Sequence, residues 1–459
     1  MPMNVSSLSL FPFVFLIYLI LILFLRPHKL LSIFIVIMPV YIPFLSLVYK
    51  YTGDFELANN LKILKDILPL ILVLIALYIY RIQLLRTSWN RLDLLIFSFA
   101  LINIIYLIYP NNLSLLQRLY GMRINLLWVL FYSLGRIIYL PEKSTNRIIK
   151  VLVLVGVLSG LISIGEYYNI FNIPEFTGLM DYTEKAYGQS RSGEYGLTWT
   201  FQTAYGVRRY SSFFANPLAF ASSTLITGSA VMYLFYHPGK FKQNKVLIGL
   251  FFIIICIGLL LSLSRASMVS FGLNTIILSI WLKKYKNIPI ILLAFIISNI
   301  YLMKDSTLMY YISDTVSFIN PSSIGHANEW NEGLESLISS PFGQGLGMSG
   351  PTGAKYGIQV GGENQFIIYG VQLGVIGLML YLGTIYTGIR YALNTYSKSS
   401  GSSKGLIFIA GASRIGLVIP GFTSSIDSYL FVTFISWWLM GYVSQQRELQ
   451  NENSSYNEI

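Results

Sequence analysis

Charge is what this chain has least of. Of its 459 residues, 11% are Asp, Glu, Lys or Arg, where a soluble domain of this size carries about 25%. That deficit excludes a body solvated mainly by water. Cysteine is almost missing too. The one thiol, Cys256, lies inside an apolar run, so no intrachain disulfide, redox pair or thiolate metal site can form. The sequence contains no Walker pair, no His-Glu-x-x-His, no Gly-x-Ser-x-Gly and no Cys/His metal spacing. It also lacks the adjacent acidic pair of a metal-dependent nucleotide-sugar site. No internal repeat is evident, which counts against a transporter built from inverted halves.

Apolar residues fill the gap, at 54% of the chain. They come in continuous runs rather than in alternation, which selects helices over a barrel. The runs predict spans near 10–25, 30–49, 66–81, 92–109, 123–140, 148–168, 213–236, 245–262, 266–282, 287–303, 364–390, 405–420 and 427–444, each close to the ~20 residues a bilayer requires. The expected fold is therefore all-α, a polytopic helical bundle of about 12–13 transmembrane helices with two large extracytoplasmic loops.

The net charge of +12 would suggest nucleic acid in a soluble protein, but here it reads as the Lys/Arg excess of cytoplasmic loops. Arg81, Arg86 and Arg91 follow the third span, Lys143, Arg147 and Lys150 the fifth, and Lys240, Lys242 and Lys245 the seventh. Lys283, Lys284 and Lys286 follow the ninth, Arg390, Lys398 and Lys404 precede the twelfth, and Arg447 follows the last. If the spans alternate, all of these share the cytoplasmic side, and no nucleic-acid partner is expected. The amino-terminal run has no basic leader and no small-residue cleavage site, so no cleaved signal peptide is expected. Arg26, His28 and Lys29 follow that run and predict an N-terminus facing out.

The expected organisation has N-terminal spans over 1–168, a first extracytoplasmic loop over 169–212 and central spans over 213–303. A large extracytoplasmic loop over 304–363, C-terminal spans over 364–444 and a disordered cytoplasmic tail over 445–459 complete it.

Chemistry-bearing residues concentrate at the loops. Arg208 and Arg209 precede Asn216-Pro217, a predicted cap and first turn, so two guanidinium groups meet a helix N-terminus. That is a site for an anion such as phosphate, or an Arg pair reaching for lipid headgroups. Arg265, in Ser264-Arg265-Ala266, is set between two apolar runs with no carboxylate nearby in sequence. Its partner is then a distant side chain or a ligand. Gly325-His326-Ala327-Asn328-Glu329-Trp330 leads into a predicted helix over 329–339 that Pro341 ends. Gly343, Gly345 and Gly347 follow, and Glu363-Asn364 closes the loop. His326 and Glu363 are its acid–base candidates; a surface His and a Glu aiding a helix start are the alternatives. Tyr182, Tyr187, Tyr195, Trp199, Tyr205 and Tyr210 offer faces for sugar rings or for a membrane-interface belt.

In this order, these segments resemble the O-antigen ligase and polymerase superfamily of bacterial membrane glycosyltransferases. The family's Arg, small residue, aromatic and Asn-Pro pattern is matched by Arg209-Tyr210-Ser211-Ser212-Phe213-Phe214-Ala215-Asn216-Pro217, with Ser212 where Gly is usual. Its Ser-Arg-Gly is matched by Ser264-Arg265-Ala266. Its Gly-Arg-x-x-x-Trp is matched by Gly325 to Trp330, with His326 for Arg, and the place of its Pro-x-x-Gly-x-Gly is taken by Pro341-Phe342-Gly343-Gln344-Gly345, one residue shorter. Its His-Asn before a Gly-x-x-Gly helix is matched by Glu363-Asn364 and Gly374 to Gly377, with Glu363 for His. The resemblance runs from about Arg208 to Tyr381.

The resemblance implies a GT-C-like fold in the bacterial cytoplasmic membrane and metal-independent, inverting glycosyl transfer with no cofactor. The donor would be an undecaprenyl-diphosphate-linked glycan and the acceptor a second glycan, with a chain-length regulator as an accompanying partner. Arg209 and Arg265 would stabilise the leaving diphosphate, and Glu363 would be the general base with His326 second. Arg208, Asn216, Trp330 and Asn364 would contact substrate. Glu363 in place of His favours polymerisation of O-antigen, capsule or exopolysaccharide repeats. Ligation to a lipid or protein acceptor and non-enzymatic glycan transport are the alternatives. The enzyme reading requires Arg209, Arg265, His326 and Glu363 to converge.

Overall fold

The computed structural model describes residues 27–81, 88–109, 111–192, 195–203, 206–237, 244–286, 288–289, 321–358 and 360–456. The spans predicted near 10–25 and 287–303 lie outside these residues, apart from 288–289, as do Arg86, Tyr205, Lys240 and Lys242. Among the described residues the chain is all helix, with no strand and three isolated β-bridges.

In chain order the helices are α1 Pro27–Thr52, α2 Phe55–Lys62, α3 Leu64–Ile79, α4 Arg91–Ile105, α5 Leu115–Ile137 and α6 Glu142–Tyr167. Then come α7 Ile173–Thr177, α8 Leu179–Tyr187, α9 Pro217–Tyr236, α10 Lys245–Leu261 and α11 Arg265–Trp281. The last are α12 Pro321–Ser339, α13 Gly350–Lys355, α14 Gln365–Lys398, α15 Ser403–Thr423 and α16 Leu430–Tyr456. Among the described residues five segments are long and apolar enough to cross a membrane: Leu31–Thr52, α6, α9, α14 and α15. Every described predicted span overlaps a helix. The tail differs from expectation, for a physical reason.

The tail over 445–459, expected to be disordered, is helical as far as Tyr456. Its polar side chains have partners. Gln445 Nε2 donates to the Arg136 carbonyl at 3.0 Å, and Glu448 ion-pairs with Arg136, which also holds Asp93 at 3.1 Å. The twelfth predicted span, dotted with Gly411, Ser413, Arg414, Gly416 and Pro420, is one unbroken helix.

Small residues let the bundle close. In α5 and α16, which run parallel, Gly135 lies against the Trp438 carbonyl and Gly441 against the Tyr132 carbonyl. A methyl group at either position would occupy the neighbour's backbone. Helices in lipid gain most of their association from such close packing. Around this seam Trp128 stacks on Trp437 with ring centres 4.1 Å apart, and Phe131 meets Phe434 edge-on.

The core also holds charge. Asp427, in the turn between α15 and α16, is buried and accepts from Tyr381 Oη at 2.7 Å, Trp437 Nε1 at 2.9 Å and Tyr369 Oη at 3.1 Å. Arg414 is 1% exposed and lies over the Trp437 ring at 3.7 Å. A buried carboxylate is tolerated when its lone pairs are all engaged. This knot fixes the start of α14 to the α15–α16 turn, since the Asp427 N–H donates to Gln365 Oε1 at 3.0 Å.

Gly441→Val should prevent assembly, because its side chain would strike the Tyr132 carbonyl. Gly249→Ala, with nothing within 4 Å of the new methyl, should leave folding intact. Size-exclusion elution of the detergent-extracted protein reads both outcomes.

Candidate active site

One end of the bundle gathers the candidate residues. There α6 finishes beside the segment that starts α9, and α10 finishes beside the start of α11. The starts of α14 and α16 meet through Asp427 and Tyr429.

Arg209 is fixed twice. Its N–H donates to the Phe201 carbonyl at 2.8 Å, and its guanidinium Nε donates to the Ser262 carbonyl at 3.0 Å. The Tyr210 N–H donates to the Leu261 carbonyl at 3.1 Å. The first loop is thus lashed to the α10–α11 link, three residues from Arg265. Arg265 begins α11, and its Nη1 donates to Ser323 Oγ on α12 at 3.2 Å. A distant side chain, one of the two partners the sequence allows, is therefore present for Arg265.

The helix predicted over 329–339 starts earlier, at Pro321, so His326 lies on a helix rather than in a loop. His326 Nδ1 is 3.5 Å from Glu329 Oε2. Burial lowers the His326 pKa, the Arg265 charge pushes it the same way, and Glu329 opposes both. Trp330 lies alongside, its ring 6.4 Å from that of His326, with a buried indole N–H that has no hydrogen-bond partner.

Glu329 also reaches the other side of the site. Its carboxylate presses on Gly362, where a Cβ would collide with it. Glu363 follows directly. Burial raises the Glu363 pKa to about 7, the Glu329 charge adds to the rise, and Arg209 opposes it. Tyr429 feels the charges of both Glu363 and Arg209. Arg209, Arg265, His326 and Glu363 are thereby linked in one neighbourhood through Ser262, Glu329 and Gly362.

The four expected substrate contacts divide. Asn216 Oδ1 accepts the Ala219 N–H at 2.8 Å, and Asn364 Oδ1 accepts the N–H groups of Phe366 and Ile367 at 3.0 and 3.2 Å. Both oxygens therefore cap helices. Arg208 lies over Tyr210 and Tyr195, its guanidinium centre 5.1 and 5.7 Å from the ring centres, and its Nε is buried without a partner. Trp330 is the fourth.

Three features escaped the sequence reading. In the sequence Glu329 stands as one acid inside the Gly325–Trp330 stretch, with nothing to set it apart. Glu166 lies in an apolar span, yet its carboxylate accepts the Ser212 N–H at 2.9 Å and the Ile173 N–H at 3.2 Å and feels the Arg208 charge. Ser212 has φ +53°, a left-handed backbone that favours glycine. That conformation accounts for the glycine usual at this position in the family the segment resembles.

The glycine string proves structural. At Gly374 (φ +69°) the helix α14 breaks. The Gln344 and Gly345 N–H groups donate to the Val371 and Gln372 carbonyls at 2.7 and 3.1 Å, and the Val375 N–H donates to the Pro341 carbonyl at 2.9 Å. The loop's backbone replaces the lost helical bonds. A polar cavity lined by Asn125, Gln365, Tyr369, Gln372 and Asp427 lies nearby, but at about 10 Å³ it has room for a single water at most and none for a sugar. Among the described residues no group of three His, Cys, Asp or Glu side chains is placed to hold a metal ion.

Residues 250–382 match the family described as O-antigen ligase. The match includes Arg265, His326 and Glu363 and leaves Arg208, Arg209 and Asn216 outside. It supports the O-antigen ligase and polymerase superfamily and a membrane function of that type. No curated protein matches the chain.

Glu166→Ala would strand two N–H groups, at about 1–3 kcal/mol each where buried, and free the segment that carries Arg208 and Arg209. Trypsin should then cut after these arginines at least several-fold faster than in the wild type. Unchanged cleavage would show that Glu166 does not hold the loop.

Proposed function

We propose that this protein is a polymerase of lipid-linked saccharides, acting from the extracytoplasmic face of the bacterial cytoplasmic membrane. The donor is a glycan on a polyprenyl (undecaprenyl) diphosphate and the acceptor is the sugar end of a second such molecule. The observation that carries this reading is the gathering of Arg209, Arg265, His326 and Glu363 at one end of the bundle, from three separate stretches of chain.

In this mechanism the acceptor hydroxyl attacks the anomeric carbon of the donor. The bond from that carbon to the diphosphate oxygen breaks, the lipid diphosphate leaves, and the hydroxyl proton passes to Glu363. The displacement is direct and inverts the anomeric centre. Charge grows on the departing oxygen, and preorganised guanidinium groups stabilise developing charge most strongly where water is scarce. Arg209 and Arg265 fill this role, which a divalent cation would otherwise take. The Ser262 carbonyl orients the Arg209 guanidinium without neutralising it.

Glu363 suits a general base because its raised pKa of about 7 makes it a stronger proton acceptor than an ordinary carboxylate while leaving a large ionised fraction at neutral pH. His326, its pKa lowered, supplies a neutral imidazole beside Arg265. Arg208 and Trp330 contribute to binding. A ligase would use the same chemistry on a different acceptor; identification of the acceptor's reducing end separates the two.

Arg209→Ala and Arg265→Ala should each abolish long-chain glycan in cells while the protein still inserts and extracts as a folded species. Long chains persisting in both variants would remove the charge-stabilising role. Glu363→Gln should lower turnover by about 10²–10⁴-fold; an unaltered rate and chain-length distribution would exclude it as the base.

The base works ionised, so turnover should rise with pH through about 7. Glu329→Gln removes the like charge that helps raise the Glu363 pKa, and the midpoint should move to lower pH. A pH–rate profile with the same midpoint in both proteins would break the link between Glu363 and the rate.

A further inference from the structure

A second cationic cluster lies at the same end of the bundle, on elements the mechanism above does not use. Lys62 ends α2, Lys65 lies in the first turn of α3, Arg123 on α5 and Lys355 at the end of α13. Among the described residues the one carboxylate ion-paired with any of them is Asp66, 2.7 Å from Lys65 Nζ and 3.5 Å from Arg123 Nη1.

The cluster is therefore rich in positive charge and short of anions. Burial and then the Arg123 charge, against the pull of Asp66, lower the Lys62 pKa to about 8. Lys355 is lowered by burial and by the charges of Lys62 and Arg123. Arg123 Nε is buried with no hydrogen-bond partner.

Like charges held together in this way are unfavourable by themselves and become favourable when an anion joins them. Aromatic faces line the group. Lys355 Nζ and the Arg123 guanidinium lie 4.4 and 4.6 Å from the centre of the Tyr120 ring, and Lys62 Nζ lies 4.0 Å from that of Tyr187. The site is open, since Lys355 and Tyr187 are exposed.

An apolar track starts at the same place. Ile67, Leu70, Leu74 and Leu77 recur at helical spacing on α3, and all four are exposed. A charged head at the end of an apolar stripe fits an amphiphile with an anionic head and a long hydrocarbon tail.

The cluster also connects to the active site. Lys355 lies eight residues before Glu363, on a segment whose two ends meet where Ser349 Oγ donates to the Val360 carbonyl at 2.6 Å.

We propose that Lys62, Lys65, Arg123 and Lys355 bind the diphosphate of a second lipid-linked saccharide, the acceptor, whose phosphates take no part in bond breaking. This rests on the polymerase reading: such an enzyme must hold two polyprenyl diphosphates at once, one as leaving group and one as anchor. The Arg209–Arg265 site takes the first and this cluster the second, with the acceptor's sugars reaching across α13 toward Glu363. An ordinary anionic phospholipid offers related phosphate chemistry, and the test separates the two.

Native mass spectrometry of the full chain in detergent, with farnesyl diphosphate as the probe, counts bound ligands. Wild type should bind two. Lys62→Gln/Arg123→Gln/Lys355→Gln should bind one, its second-site affinity reduced by at least about tenfold. Arg209→Gln/Arg265→Gln should lose the other.

Lys62→Arg/Lys355→Arg should keep both ligands, and all variants should elute as the wild type does. Two ligands retained by the triple variant, or fewer than two on the wild type, would overturn the proposal. So would displacement of the second-site ligand by phosphatidylglycerol at equal concentration. Loss of a ligand in the triple variant with none lost from Arg209→Gln/Arg265→Gln would leave this site standing and count against the proposed function.

Discussion

The guanidinium of Arg209 rests on the carbonyl of Ser262, and the site's geometry depends on this bond. It joins the first loop to the α10–α11 link, and so brings a residue from one polar segment within reach of the residue that opens the next helix. A carbonyl holds a guanidinium in place by dipole and hydrogen bond without cancelling its charge. The opposite case lies deeper in the bundle. There Asp427 is saturated by Tyr369, Tyr381 and Trp437, and Arg414 is pressed on an indole face. Three donors engage the Asp427 oxygens and make a rigid knot. The knot also ties the start of α14, two residues after Glu363, to the α15–α16 turn.

Much of this was legible in advance because hydrophobic runs and turn residues report local physics. The spans, the cap at Asn216 and Pro217, and the grouping of charge at helix mouths follow from spacing alone. What could not be read was anything set by contact between distant segments. Glu166 looks like a stray carboxylate in an apolar helix until Ser212 and Ile173 are seen to donate to it. Glu329 looks like one acid of several until its carboxylate is found against Gly362, between His326 and Glu363. The polar tail looks disordered until Arg136 supplies a partner for Glu448. Asn216 and Asn364 carry a different lesson. Their side-chain oxygens serve backbone N–H groups, so their place in a motif is accounted for by helix capping.

The residues that depart from the family pattern form a physically consistent set. Where an Arg is usual, His326 is paired with Glu329; where a His is usual, Glu363 lies beside that same Glu329. Both positions face the same Glu329 carboxylate. Ser212 keeps a glycine-like backbone under a side chain that costs it energy, and the Glu166 carboxylate that receives its N–H offsets part of that cost.

The break at Gly374 has a consequence for how this chain can change over time. Because the backbone of 341–345 docks into the gap in α14, these two stretches are in register with each other regardless of how many residues separate them. The five-residue plug is therefore fixed in length, and the stretch from Gly347 to Gly361 that follows is tied as well, with Ser349 held to the Val360 carbonyl and to the Gln372 amide. The plug and the helix it completes can change only together, as one joint.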